Sequence, residues 1–178
     1  FIIYQVHIGS FAGYNDGIET DNYTARLKDL ESKLSYIRGL GFNAIELLPV
    51  QEYQGYRSWG YNPSFFFAPE SAYGTPDDYR HFVNEAHKMG LAVIFDVVYN
   101  HVSTSDNPLW EFDDVDNGSI YLSKYETPWG LSPAFWRQQV KDFFLENARM
   151  YFEDYRADGL RFDATRYIEH NTGWDRDG

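Results

Sequence analysis

The chain has 178 residues, 43% hydrophobic and 24% charged, with a formal net charge of −12, the balance of an ordinary folded globular protein. The acidic surplus argues against nucleic acid or an anionic membrane as partner, since both attract basic surfaces, and favours a neutral or cationic ligand. Without a single cysteine, disulfides, thiol catalysis and cysteine-held metals are excluded. No apolar run approaches the roughly 18 residues of a membrane span and no signal peptide opens the chain, so the expected location is cytoplasmic. The opening residue is Phe1 rather than Met, which predicts an excised piece of a longer protein. The aromatic share of 19% suits sugar stacking and equally suits a large aromatic core.

Two kinds of segment alternate. Short apolar runs at 2–8 (IIYQVHI), 43–50 (NAIELLPV), 91–98 (LAVIFDVV) and 158–164 (DGLRFDA) predict strands, and their near-continuous hydrophobicity fits a parallel sheet covered on both faces. Between the first two, Leu27, Leu30, Leu34 and Ile37 follow helical spacing, with Gly39 and Gly41 as a stop. The second helical pattern opens with Thr75 as N-cap, Pro76 in the first turn and Asp77 and Asp78 facing the helix dipole. Its apolar stripe is Tyr79, Phe82, Val83, Ala86 and Met89, and Gly90 ends it. The third pattern is predicted to begin at Ser132 and Pro133, with Val140, Phe143, Phe144, Ala148, Tyr151 and Tyr155 inside. The order β-α-β-α-β-α-β predicts right-handed crossovers and an α/β fold with parallel strands. No linker or charge block interrupts it, so residues 1–178 read as one domain or part of one. The connections after the second and third strands, about 50–75 and 99–132, are long. Long structureless loops are uncommon and usually functional, and both follow strand C-termini, where α/β folds build their sites.

Three clusters could carry chemistry. In ADGLRFDA, strand alternation puts Arg161 and Asp163 on one face and Leu160 and Phe162 on the other. An Arg beside an Asp favours the ionised carboxylate, so the pair reads either as a nucleophile or metal ligand at a site mouth, or as an ion pair closing a strand end. In DVVYNH, Asp96, Val98 and Asn100 share a face and His101 enters the long loop. In RSWGYNP, Trp59 and Tyr61 flank Gly60, either as ligand-facing aromatics or as a hydrophobic plug beneath the loop. No Ser/His/Asp order, phosphate-cradling glycine loop or paired-His metal motif is present.

Together, in order, these clusters resemble the α-amylase family of glycoside hydrolases and transglycosylases. DVVYNH and GLRFDA look like two of the short regions that mark that family, and ELLPV and the stretch from WGYNP to DVVYNH resemble its second strand and the segment leading to its third. The resemblance covers nearly the whole chain and implies the first half, four strands and three helices, of a TIM (β/α)8 barrel. It implies that Asp163 is the nucleophile forming a covalent glycosyl-enzyme and that Arg161 holds it ionised and oriented. By the same resemblance, His101 hydrogen-bonds sugar hydroxyls, Tyr61 stacks under the sugar ring, Asp96 supports Arg161, and Trp59 lies with the substrate-binding residues. Asn100 matches a position that binds calcium in many α-amylases, although a hydrogen-bonding role fits it better here. No cofactor is required, calcium is possible, and the implied partners are an α-1,4-glucan or maltooligosaccharide and the remainder of the barrel.

A retaining glycosidase needs two carboxyls about 5–5.5 Å apart. In the family the acid/base Glu follows the fifth strand and a further transition-state Asp the seventh, so neither is expected within this chain. Glu169 does not inherit either role, and residues 1–178 alone are expected to be inactive. Within the family, YQVHIGSF and FNAIELLPVQEYQGYRSWGYNP resemble branching enzymes, debranching hydrolases and maltooligosyltrehalose trehalohydrolases. FFFAPESAYGTPDDYRHFVNEAHKMGL leans toward branching enzymes and YETPWG toward trehalohydrolases. Arg166 and Tyr167 stand where many α-amylases carry Lys and His, which weakens an endo-amylase reading. A 1,4-α-glucan branching enzyme is the favoured expectation. A non-catalytic α-amylase-like binding domain is the alternative of another class, and the presence of Arg161, Asp163, His101 and Tyr61 argues against it.

Overall fold

The computed structural model describes residues 1–11, 24–55, 57–110, 112 and 120–169. In chain order the elements are β1 (Ile3–Val6), α1 (Ile8–Phe11), α2 (Leu27–Glu31), α3 (Leu34–Gly39), β2 (Ala44–Leu47), β3 (Gln51–Tyr53), β4 (Pro63–Pro69), α4 (Pro76–Lys88), β5 (Ala92–Val97), β6 (Leu122–Thr127), β7 (Gly130–Pro133), α5 (Gln138–Glu153), β8 (Gly159–Phe162) and α6 (Thr165–Glu169). The four expected strands form one sheet in the order β1-β2-β5-β8, every pair parallel. Each strand therefore ends at the same edge, and the residues just beyond, 7, 48, 98 and 163, share one end of the sheet.

Among the described residues, helices α2 to α5 pack on one face of this sheet. Val6, Ile45, Leu47, Val93, Phe95 and Val97 point into a buried core with Leu30, Leu34, Ile37, Phe82, Val83, Val140, Phe144 and Tyr151. The opposite face carries Gln5, Glu46, Ile94, Asp96 and Arg161; Gln5 Nε2 donates to Glu46 Oε1 at 2.7 Å. Apolar cover on both faces was the expectation from the strand sequences, and the inner face instead mixes polar groups with apolar ones. Beside β8 the apolar packing is also open. Phe162 is exposed by more than two-fifths, where burial was expected. It lines a groove of about 500 Å³ with Tyr99, Phe144, Leu145, Ala148 and Ile168.

Local chemistry explains where the elements start and stop. Helix α4 begins as predicted, with Thr75 Oγ1 accepting the Asp78 N–H and Asp78 Oδ2 accepting the Thr75 N–H, a reciprocal cap of the free first-turn amides. The predicted first helix is instead two, broken at Ser32 and Lys33. Ser32 Oγ donates to the Asp29 carbonyl at 2.6 Å and the Lys33 N–H to the Leu30 carbonyl at 2.9 Å, contacts three residues apart that replace the α-helical ladder. The third helix does not begin at Ser132 and Pro133 either. Those residues lie in β7, where Ser132 Oγ meets Ser123 Oγ at 2.9 Å across the hairpin and Pro133 pairs with Leu122; α5 starts after Arg137. Both long connections contain an antiparallel hairpin, β3–β4 and β6–β7, so neither is structureless. Among the described residues no helix is long and apolar enough to cross a membrane.

Candidate active site

Register brings the first two charged clusters together. Asp96 on β5 is the ladder partner of Arg161 on β8, so both side chains leave the same face of adjacent strands. Arg161 Nη1 donates to Asp96 Oδ2 at 2.7 Å and to Asp163 Oδ1 at 2.8 Å. One guanidinium nitrogen thus joins two carboxylates. Asp163 continues the ladder through its N–H to the Val97 carbonyl at 3.1 Å. The chain then turns at Ala164, whose φ of +40° is costly for a residue with a Cβ, a cost that recurs at functional turns. That turn leaves the Asp163 carboxylate at the strand end, at the start of α6.

The opposite side of Asp163 is held by Asn100, whose Nδ2 donates to the Asp163 carbonyl at 2.8 Å and to its Oδ2 at 3.1 Å. Asn100 Oδ1 is in close contact with His101 Nδ1, and His101 Nε2 donates to the Tyr61 carbonyl at 2.9 Å. Tyr61 closes the circuit: its hydroxyl donates to Asp96 Oδ2 at 2.7 Å, and the Arg161 guanidinium sits 5.9 Å from its ring centroid. The three sequence clusters are therefore one hydrogen-bonded assembly.

The members differ sharply in environment. Asp96 has no solvent exposure, and burial raises its pKa to about 6 even though Arg161 and Tyr61 both lower it. Its Oδ1 has no partner among the described residues. Burial also works against the charge of Arg161, but its bond to Asp96 prevails and its pKa rises. Tyr61 is raised too, by burial and then by Asp96. Burial lowers the pKa of His101, opposed by its hydrogen bond to the Tyr61 carbonyl and by the Asp163 charge. Asp163, with one-fifth of its side chain exposed, is the carboxylate of this assembly that reaches the surface.

Trp59 is 73% exposed, so it does not plug the fold; it lies two residues before Tyr61 in the same loop. Gly60 between them has φ +86°, and a Cβ there would stand 2.4 Å from the Pro49 carbonyl oxygen, so the loop requires glycine. Two aromatic residues that the sequence clusters did not single out join the site. Trp129, at the tip of the β6–β7 hairpin, has its ring centroid 5.7 Å from His101 and 5.3 Å from Tyr167 on α6. YETPWG was the visible signal, but nothing in it says which strand end the hairpin folds over. Calcium does not fit the residues present. The Asn100 amide oxygen, the hard ligand a calcium ion would need, faces a ring nitrogen, and the described residues contain no cluster of three or more His, Asp or Glu suited to a metal.

Residues 5–145 match the model of the alpha amylase catalytic domain. The chain belongs to the alpha-amylase family. It is 37% identical over 174 residues to a malto-oligosyltrehalose trehalohydrolase of Saccharolobus solfataricus, covering 96% of this chain and 28% of that protein. A 1,4-alpha-glucan branching enzyme of Rhodospirillum rubrum is likewise 37% identical, over 170 residues, covering 91% of this chain and 22% of the enzyme. The alpha-amylase of Geobacillus thermoleovorans, solved with acarbose, superposes with a TM-score of 0.78 at 26% identity, over 93% of this chain and 40% of that one. The chain thus spans about a quarter of the length of these curated relatives, and its four parallel strands are a fragment of their barrel. Relatives of both kinds at equal identity leave the branching-enzyme expectation without specific favour.

Proposed function

We propose that this chain supplies the nucleophile side of a retaining α-glucan enzyme, with Asp163 as the attacking carboxylate. The observation that carries the reading is the Arg161 bridge: one nitrogen fixes Asp163 against the buried Asp96, while Asn100 holds the other oxygen of the same carboxylate. A nucleophile must be aimed, and hydrogen bonds from Arg161 and Asn100 fix the two oxygens of Asp163 from opposite sides. Attack on the anomeric carbon forms a Cγ–Oδ–C1 ester as the glycosidic C1–O bond breaks. The departing oxygen takes a proton from a second carboxyl group, and water or an acceptor hydroxyl then releases the sugar with retention.

Asp96 does not serve as that second group. Its Oδ2 is occupied twice and its Oδ1 is sealed from solvent, so it cannot reach a leaving oxygen. We assign no acid/base within residues 1–178 and expect this segment by itself to turn over no α-glucan. Tyr61 and Trp59 supply aromatic faces to a pyranose, which gains positive charge as the oxocarbenium-like state forms. Because both ring nitrogens of His101 are engaged within the protein, we assign it first to fixing Tyr61 and Asn100. Sugar contact through that ring would require one of these bonds to open.

Within the family we favour transfer to a 6-hydroxyl, a branching activity, on the resemblance carried by FFFAPESAYGTPDDYRHFVNEAHKMGL. Trehalohydrolase is the second reading, on the resemblance carried by YETPWG, whose Trp129 packs at 5.7 Å from His101 and 5.3 Å from Tyr167. The full-length protein is incubated with amylose and with trehalose-capped maltooligosaccharide. New α-1,6 linkages support branching, released trehalose supports the second reading, and reducing ends alone support simple hydrolysis. Trapping with a slow fluoroglycoside labels Asp163 if the assignment is right; a label elsewhere, or full activity in Asp163→Asn, sinks it.

A further inference from the structure

The motif YQVHIGSF opens the sheet, and the reaction described above makes no use of its histidine. His7 follows the last residue of β1 and so lies at the same end of the sheet as Asp163. Its Nε2 is 2.9 Å from the Ser58 carbonyl and 3.0 Å from the Tyr73 hydroxyl, and its Nδ1 is 2.9 Å from Ser10 Oγ. A carbonyl can only accept, so Nε2 carries the proton and donates to Ser58, and Nδ1 accepts from Ser10. Tyr73 is buried, receives the Tyr53 hydroxyl proton at 3.1 Å and meets the His7 ring edge-on at 6.1 Å. Tyr53 is tied in turn to the buried Glu70, whose Oε2 accepts its N–H at 3.1 Å. Gly9 belongs to the same device: a Cβ there would stand 2.9 Å from Thr24, 3.1 Å from the His7 ring and 3.3 Å from Tyr73. Histidine and glycine in VHIGS thus share one packing requirement.

We infer that His7, through its bond to the Ser58 carbonyl, is a positioning residue that sets Trp59 and Tyr61 as a preformed stacking surface beside Asp163. This rests on the proposed α-glucan reading. The loop 57–61 is anchored at its far end by Tyr61, through Asp96 and His101. At its near end the long-range tie is His7, beside a hydrogen bond between the Tyr53 hydroxyl and the Ser58 backbone and the local bond from the Gly60 N–H to Ser58 Oγ at 3.0 Å. Between the anchors Trp59 stands free. A loop fixed at both ends pays its ordering cost at folding rather than at binding, which lowers KM without altering the reacting atoms.

The test is made in the full-length protein with His7→Leu, His7→Gln and Tyr73→Phe. Losing one hydrogen bond of ordinary strength predicts a rise in KM for maltooligosaccharides of about three- to tenfold, larger than any fall in kcat. The emission and acrylamide quenching of Trp59, isolated by difference against Trp59→Phe, shift in His7→Leu. His7→Gln, which can return a donor near the Nε2 position, recovers most of both effects. An unchanged Trp59 signal in His7→Leu, or a fall in kcat at constant KM, overturns the inference. If His7→Leu does not fold by circular dichroism, Tyr73→Phe decides, through a smaller shift of the same signal or its absence. Failure of the wild type to act on any α-glucan would instead strike the proposed function, and the Trp59 signal would still decide the role of His7.

Discussion

Two aspartates five residues apart bracket β8 and have opposite surroundings. At the N-terminal end, the Asp158 N–H donates to the Val93 carbonyl, and its Oδ2 accepts the Val93 N–H and contacts His87 Nε2, both at 2.7 Å. That carboxylate latches β8 and the end of α4 to β5, with partners that are backbone and one half-exposed ring. At the C-terminal end, Asp163 and Asp96 share a single guanidinium nitrogen, Asp96 is sealed from water, and one of its oxygens has no partner. The first arrangement satisfies a carboxylate locally at low cost. The second concentrates two negative charges on one positive charge, a costly arrangement that makes sense where an aimed, ionised carboxylate is needed.

Substitutions at the two ends break this contrast to different degrees. The largest effect is expected for Asp163→Asn, which should lower kcat of the full-length enzyme on the order of 10⁴-fold or more while leaving its urea midpoint nearly unchanged. A comparable loss of stability would move Asp163 into the same class as Asp158. Next comes Arg161→Met, which strands the buried Asp96 without its cation. Removing one partner of such a pair predicts a loss of about 3 kcal/mol in urea unfolding, together with loss of glycosyl-enzyme trapping.

The third prediction uses pH. Burial holds the Asp96 pKa at about 6 in the folded protein, above its ordinary value of 3.8. A carboxyl raised on folding contributes stability that is fully present below its unfolded pKa and is lost as pH rises through the folded value. The wild type should therefore lose stability relative to Asp96→Asn between about pH 4 and pH 6, and hold a constant difference above that. A flat difference across the window would mean that folding leaves the Asp96 pKa at its ordinary value. The smallest effect is expected at the other end, where His87→Ala should cost about 0.5–1 kcal/mol and leave kcat and KM unaltered. A change in kcat there would show that the latch and the site are coupled through β8.

Much of this was legible in sequence because it depends on local pattern. The four strands, the capped start of α4 at Thr75 and the stop at Gly90 follow from residue type and spacing alone. So does the placement of Arg161 and Asp163 on one face, since a strand's period of two is fixed. The two misread helix boundaries share one cause. Ser132 and Pro133 carry a helix-start signature, yet pairing with β6 claims them; Ser32 and Lys33 lie inside the predicted helix, between Leu30 and Leu34 of its stripe, yet the Ser32 hydroxyl diverts the ladder. In each case a competing partner prevailed over propensity.

The sequence by itself determined which chemistry was available: an arginine between two carboxylates, a histidine and aromatics, all near strand C-termini. Only the tertiary structure decided that Asp96 and Arg161 meet in register, that Asn100 grips Asp163 and that Trp129 leans on His101. It also decided that His7 reaches Ser58 across 51 residues and Tyr73 across 66. Local periodicity fixes the direction in which a side chain leaves its own element. Parallel pairing between residues more than forty positions apart fixes what it meets, and no spacing rule along the chain records that.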